Sequence, residues 1–279
     1  MKKNIILLAI IIILLIIAGV VYVNLKNTKQ QSINNMISSF MDEEGNPKKL
    51  ENMDPDIRLS DLKTDFNKTI IDTNQILSGG PGKDGIPALT NPKFTNIASA
   101  DFPEESLGIL VSFDGEVRYY PYNILVWHEI VNDNIGDNYF TATFCPLCGS
   151  GIVYNRNIDG AILEFGVSGR LFESNLLMYD KKTESLWSQA RGEAVVGYYT
   201  ETKLEILPMQ LIPFSTVKEK YPNAKVLSKK TGHLRNYSFY PYGGYDDNDD
   251  IYFPTSDFDD KFPPKEIMFV IPVGDKSVA

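Results

Sequence analysis

The chain has 279 residues, 43% of them hydrophobic and 11% aromatic, which is ample for a packed core and excludes a disordered polar polypeptide. Its formal net charge is −9, and because the first 26 residues contain Lys2, Lys3 and Lys26 but no acid, the remainder holds 24 basic against 36 acidic residues, or −12. Such a surface repels phosphate backbones and anionic headgroups; it excludes a nucleic-acid partner and suits cations.

Residues 5–23, IILLAIIIILLIIAGVVYV, run for 19 positions without a charge, close to the ~20 that cross the hydrocarbon core of a bilayer. Lys2 and Lys3 precede the run, so the positive-inside tendency keeps the N-terminus cytoplasmic and sends everything after Asn24 outward. A cleaved signal peptide is the rival reading, but it has a shorter apolar stretch and a small-residue cleavage site, and Ala18-Gly19-Val20 is a poor one. The expected division is a transmembrane signal-anchor over 1–26, a polar tether and lead-in over 27–77, and an extracytoplasmic domain over 78–279. The expected location is the cell membrane, crossed once, with the bilayer as the partner of the N-terminal helix.

Residues 24–60 are polar, with weak helical spacing at Ile33, Met36, Ile37 and Phe40, and read as a tether. SGGPGKDGIPALTNP, 78–92, packs four glycines and three prolines into fifteen residues and reads as an ordered turn cluster. From Leu107 the pattern is β. LGILVSF (107–113) and EVRYY flank Asp114-Gly115, a hairpin-turn dipeptide, and the device recurs at Asp159-Gly160 between GIVYN (151–155) and AILEFGV (161–167). Further strands are expected at 139–144, 176–179, 194–199, 203–207 and 225–228, and a short helix over 213–222.

NILVWHEIVND, 123–133, is the best soluble helix by spacing. His128 shares a stripe with Ile124, Trp127 and Val131 and is expected to face inward, while Glu129 points away. Near the end, FPPKEIMFVIPVGDKSVA (262–279) repeats the layout of FPEESLGILVSFDGEVRY (102–119), so the chain stops where a second hairpin strand is due. The end is either natural or a truncation. The expected fold is β-rich α+β: mainly antiparallel sheet with hairpins and a few short helices, preceded by one N-terminal transmembrane helix.

The concentrated chemistry is Cys145-Pro146-Leu147-Cys148-Gly149, a CxxC run between strands that is like the thiolate knuckle of rubredoxins and zinc ribbons. There is no second knuckle, so a metal needs other ligands. His128 is the first choice, with His233, Met178, Glu129 or Asp133 behind it. Two thiolates, an imidazole and a thioether favour copper or zinc. A Cys-x-x-Cys pair can instead cycle between dithiol and disulfide outside the cytoplasm, although no helix N-terminus is on hand to activate the first cysteine. The third reading is a turn stabilised by two thiols in a structural or ligand-binding domain. Covalent haem attachment, a nucleophile elbow and a phosphate loop are excluded by the residues around each fragment, and the acidic run 246–250 lacks the alternation of a calcium loop. YSFYPYGGYDD, 237–247, either lines a groove or covers a sheet edge.

The succession GGPGKDGIPALTNPKF (79–94), YYPYNILVWHEIVND (119–133), FCPLCGSGIVYNR (144–156), FGVSGRLFESNLLMYDKKTESLWSQARGEAVVG (165–197) and PYGGYD (241–246) resembles the DUF3179 family of domains of unknown function. The resemblance implies an exported or anchored setting and a functional centre around His128, Glu129, Asn132, Asp133, Cys145 and Cys148. It also draws in Ser174, Asn175, Met178, Asp180, Trp187 and Gln189, with Met178 completing a copper site and Gln189 orienting a ligand or water.

Overall fold

Asp114 and Gly115 both adopt positive φ, 51° and 82°, the conformation a two-residue hairpin turn needs. They join β4 (Leu107–Phe113) to β5 (Glu116–Pro121) in antiparallel register. β15 (Gln210–Pro213) adds to the free edge of β4, while β16 (Lys225–Leu227) lies parallel to β5 and carries β3 (Phe94–Asn96) outside it. The computed structural model describes residues 61–257, 261–268, 271–273 and 276–278, all within the unit Lys49–Ala279. The expected membrane helix, and the tether up to residue 60, lie outside the described residues. Among the described residues no helix is long and apolar enough to cross a membrane.

A second, four-stranded sheet runs in the order β2 (Leu89–Thr90), β6 (Ile130–Ile135), β7 (Asn138–Cys145), β8 (Ser150–Asn155), with β2 parallel to β6 and the rest antiparallel. The third has five strands: β1 (Leu77–Ser78), β11 (Phe165–Phe172), β12 (Asn175–Asp180), β13 (Leu186–Ser188) and β14 (Glu193–Val196). Asn132 links the second and third sheets. Its Nδ2 donates to the Phe165 carbonyl at 2.8 Å and its Oδ1 accepts from the Phe165 amide at 2.9 Å, a pairing that satisfies a fully buried amide. The larger core collects Ile109, Tyr119, Tyr120, Ile124, Phe140 and Phe214; a smaller one gathers Leu62, Ile76, Leu177 and Val195. The fold is thus β-rich, of antiparallel and mixed sheets with two short α-helices, α1 (Tyr122–His128) and α2 (Phe214–Lys220).

Three expectations need correction. The helix over 123–133 ends at His128: Glu129 takes φ 58°, ψ −32°, its amide closes on Leu125 O at 2.6 Å, and the chain continues as β6. Ile130-Val131-Asn132-Asp133 is buried on both faces, so it lacks the alternation that marks a strand, and pairing with β7 rather than local pattern sets its conformation. Asp159-Gly160 does make a hairpin turn, but only between the two-residue strands β9 (Asn157–Ile158) and β10 (Ala161–Ile162). The flanking runs find longer partners in β7 and β12. Residues 203–207 form no strand; their backbone meets the sheets through the isolated bridges Glu193↔Lys203 and Tyr154↔Ile206. Near the end, β17 (Ile271–Val273) pairs antiparallel with β18 (Lys276–Val278).

Candidate functional site

Cys145 is the last residue of β7 and Ser150 the first of β8, and the two are directly paired, so Pro146 to Gly149 form a four-residue hairpin loop. Gly149 has φ 62°, which glycine adopts without steric penalty. The loop fixes the two sulfurs differently. Cys145 is 1% exposed, whereas Cys148 is solvent-exposed, and both are free thiols.

The Cys148 sulfur sits in a ring of hydrogen-bonding groups. Cys148 Sγ lies 3.0 Å from Ser150 Oγ and accepts from Asn175 Nδ2 at 3.2 Å. Buried Gln189 organises both neighbours: its Oε1 accepts from Ser150 Oγ at 2.8 Å and from Asn175 Nδ2 at 2.9 Å, while its Nε2 donates to Thr143 Oγ1 at 3.0 Å. The Ala190 amide donates to Asn175 Oδ1 at 2.9 Å, which turns the Asn175 amino group toward the sulfur. Ser150 has one hydroxyl proton, so it points to Gln189 while Cys148 is a thiol and swings to the sulfur once a thiolate forms.

These contacts separate the two thiols electrostatically. The Cys148 pKa falls to about 6, chiefly because the Cys145 thiol donates to it, with Ser150 and Asn175 adding to the effect against the penalty of burial. Cys145 moves the other way, well above the ordinary thiol range. Burial is the largest cause, followed by its hydrogen bond to Cys148 and the charges of Cys148 and Glu129.

Glu129 was expected to point away from the interior; it is 5% exposed and buried beside this pair. Its carbonyl accepts from the Phe144 amide at 2.8 Å, which sets it across from the residue preceding Cys145. The side chain accepts from the Tyr242 hydroxyl at 2.8 Å. Burial raises its pKa to about 7, with the Tyr242 hydrogen bond opposing and the Cys148 charge reinforcing the rise.

The segment around Tyr242 straps over the site. Tyr237 OH donates to His128 Nε2 at 2.8 Å, Tyr245 OH donates to Leu147 O at 2.8 Å, and Trp127 Nε1 donates to Phe239 O at 3.1 Å. The aromatic cluster 237–247 therefore contacts the loop at Leu147 and packs over the end of α1. The acidic run 246–250 is an exposed loop.

The other residues named from sequence are placed as follows. His128 is fully buried, as expected, and both ring nitrogens are engaged: Nδ1 donates to Pro87 O at 2.7 Å and Nε2 faces Tyr237. Burial lowers its pKa to about 4, against the Pro87 hydrogen bond and with help from His233 and Arg235. His233 is exposed and lies near His128, with ring centroids 5.4 Å apart and the rings tilted by 51°. Met178 lies fully buried in the middle of β12 opposite Val167 and Trp187. Asp133 is held by Arg118 Nη1 and Tyr120 OH, each at 2.6 Å, and Trp187 Nε1 donates to buried Asp180 at 3.1 Å. Among the described residues no three His, Cys, Asp or Glu side chains come together in an arrangement for a metal ion. Asn175 and Gln189 do join the cysteines. Ser150 and Tyr242 join them; neither is among the site residues expected from sequence, although Ser150 follows the pair in the Cys-Gly-Ser run and Tyr242 lies in the aromatic segment 237–247.

A family model described as a protein of unknown function, DUF3179, matches residues 83–279. No curated protein and no solved structure matches the chain.

Proposed function

The chain belongs to the DUF3179 family, and for it we propose a thiol–disulfide exchange function in which Cys148 attacks and Cys145 resolves. The observation that carries this reading is the opposed state of the two thiols: the sulfur of an exposed residue, hydrogen-bonded to Ser150 and Asn175 and with a pKa of about 6, beside a buried one that holds its proton. The lowered pKa favours the Cys148 thiolate near neutral pH, and an attacking thiol is most effective when its pKa lies near the ambient pH. Here activation comes chiefly from the Cys145 thiol at the end of β7, with Ser150 on β8 and Asn175 on β12 adding to it, in place of a helix N-terminus.

In the first step the Cys148 thiolate attacks one sulfur of a substrate disulfide, forms a mixed disulfide and expels the other substrate sulfur as a thiolate. In the second, Cys145 loses its proton and attacks the Cys148 sulfur, closing the Cys145–Cys148 disulfide and expelling the remaining substrate thiolate. Two electrons pass from the protein dithiol to the substrate; the reverse sequence oxidises a substrate dithiol. The apolar run 5–23 and Lys2 and Lys3 support placing this domain outside the cytoplasm, on a membrane anchor, where both redox states are chemically accessible.

The test uses the full chain in detergent and dithiobis-nitrobenzoate, a disulfide whose expelled thiolate is coloured. The wild type is expected to release two coloured thiolates per chain, Cys145→Ser one with a stable mixed disulfide at Cys148, and Cys148→Ser neither at a comparable rate. Equal, slow reaction of all three overturns the reading. So does stoichiometric copper or zinc on the purified protein that disappears in Cys145→Ser, which would favour a metal site on the same sulfurs.

A further inference from the structure

Resolution of the mixed disulfide requires Cys145 to give up a proton inside the protein, where the residue is 1% exposed. Several groups lie near enough to act on the Cys145 sulfur: Cys148 from the loop and the Leu176 amide from β12 by hydrogen bonding, and Glu129 from the end of α1 and Tyr242 and Tyr240 from the strap electrostatically. Once Cys148 is in a mixed disulfide it has no charge with which to take the proton. Tyr242 is buried and remains a phenol. Glu129 is the remaining base.

Three geometric facts single it out. Its main chain is held across from Phe144, one residue before Cys145, through the Phe144 amide. Its φ of 58° is a conformation that a non-glycine residue adopts only where the surroundings enforce it, and here it ends α1 and directs the carboxyl into the interior. Among the described residues no cation pairs with this buried carboxyl; its partner is the Tyr242 hydroxyl. A structural carboxylate at such a site carries an ion pair or several donors.

We propose that the Glu129 carboxylate accepts the Cys145 proton during resolution of the mixed disulfide, and that Tyr242 positions it for that transfer. The inference rests on the thiol–disulfide reading. The S–H bond of Cys145 breaks, the proton moves to Glu129, the electron pair left on Cys145 forms the new S–S bond, and the substrate thiolate leaves with the pair from the old one. Glu129 returns the proton to Cys145 when the disulfide is next reduced. The raised proton affinity of Glu129 suits this exchange, since a general base acts best near the working pH.

The experiment follows the two coloured releases from dithiobis-nitrobenzoate as separate kinetic phases in the full chain, with Glu129→Gln and Tyr242→Phe beside the wild type. Glu129→Gln keeps an acceptor for Tyr242 but has no base. It is expected to retain the first phase and to slow the second by on the order of a hundredfold at pH 7, with recovery at alkaline pH as Cys145 ionises unaided; a merely structural role does not give that recovery. Tyr242→Phe removes a hydrogen bond that favours the Glu129 carboxylate, so the pH midpoint of its second phase is expected to move upward. A second phase in Glu129→Gln that matches the wild type at pH 7, or one slowed equally at every pH, overturns the role of Glu129. An unmoved midpoint in Tyr242→Phe overturns the positioning role of Tyr242. Absence of a first phase in the wild type instead overturns the exchange reading itself.

Discussion

The lowered pKa of Cys148 comes first from the nearby Cys145 thiol and then from groups on two strands, β8 and β12. Ser150 and Asn175 each supply a hydrogen bond that favours the thiolate, and Gln189 holds both in place. Ser150→Ala removes one of these donors without touching the backbone. The pH midpoint for alkylation of Cys148 by iodoacetamide, read by mass spectrometry of the Cys148 peptide, is expected near 6 in the wild type and shifted toward the ordinary thiol value of 9.0 in the variant. An unmoved midpoint would assign the stabilisation to Asn175 and Cys145 alone. His128 and Met178, chosen from sequence for their affinity for soft metals, sit among other partners: the ring of His128 bridges Pro87 and Tyr237, and Met178 fills the β12 core.

At the level of elements, the site depends on the placement of β12 relative to the hairpin of β7 and β8, because β12 begins with Asn175. A bulge between Val167 and Arg170 shifts the pairing of β11 with β12, and Gly169 sits in it with φ 71°. A Cβ at Gly169 would stand 2.0 Å from Pro81 O, a backbone atom that cannot swing aside. Gly169→Ala is therefore expected to destabilise the domain by about 2 to 3 kcal/mol, measured as a lower urea midpoint. Loss of stability without loss of the Cys148 alkylation midpoint would separate the packing of the bulge from the thiol chemistry. The turn at Asp114-Gly115 was legible because a two-residue hairpin needs positive φ locally; the bulge was not, since its cause is a distant loop at Pro81 and Gly82.

Across the whole molecule, two adjacent buried groups give opposed pH dependences. His128 falls from an ordinary 6.5 to about 4, so its contribution is present above pH 6.5 and is lost as pH falls through 4. Glu129 rises from an ordinary 4.5 to about 7, so its contribution is present below pH 4.5 and is lost as pH rises through 7. Between pH 4.5 and 6.5 the two slopes, each up to about 1.4 kcal/mol per pH unit, cancel. Urea unfolding across that window is expected to show a flatter profile in the wild type than in Glu129→Gln, where His128 acts alone and stability falls on acidification. Parallel profiles would mean that the two groups do not titrate as their burial implies. Sequence by itself determined the β-rich class, the first hairpin, the inward turn of His128 and the family, because turn chemistry, apolar spacing and motif succession are written in contiguous residues. Only the tertiary structure decided that α1 stops at His128, that Glu129 turns inward, and that Ser150, Asn175, Gln189 and Tyr242 gather at the thiols. Those outcomes depend on strand pairing and desolvation between segments that local sequence does not bring together.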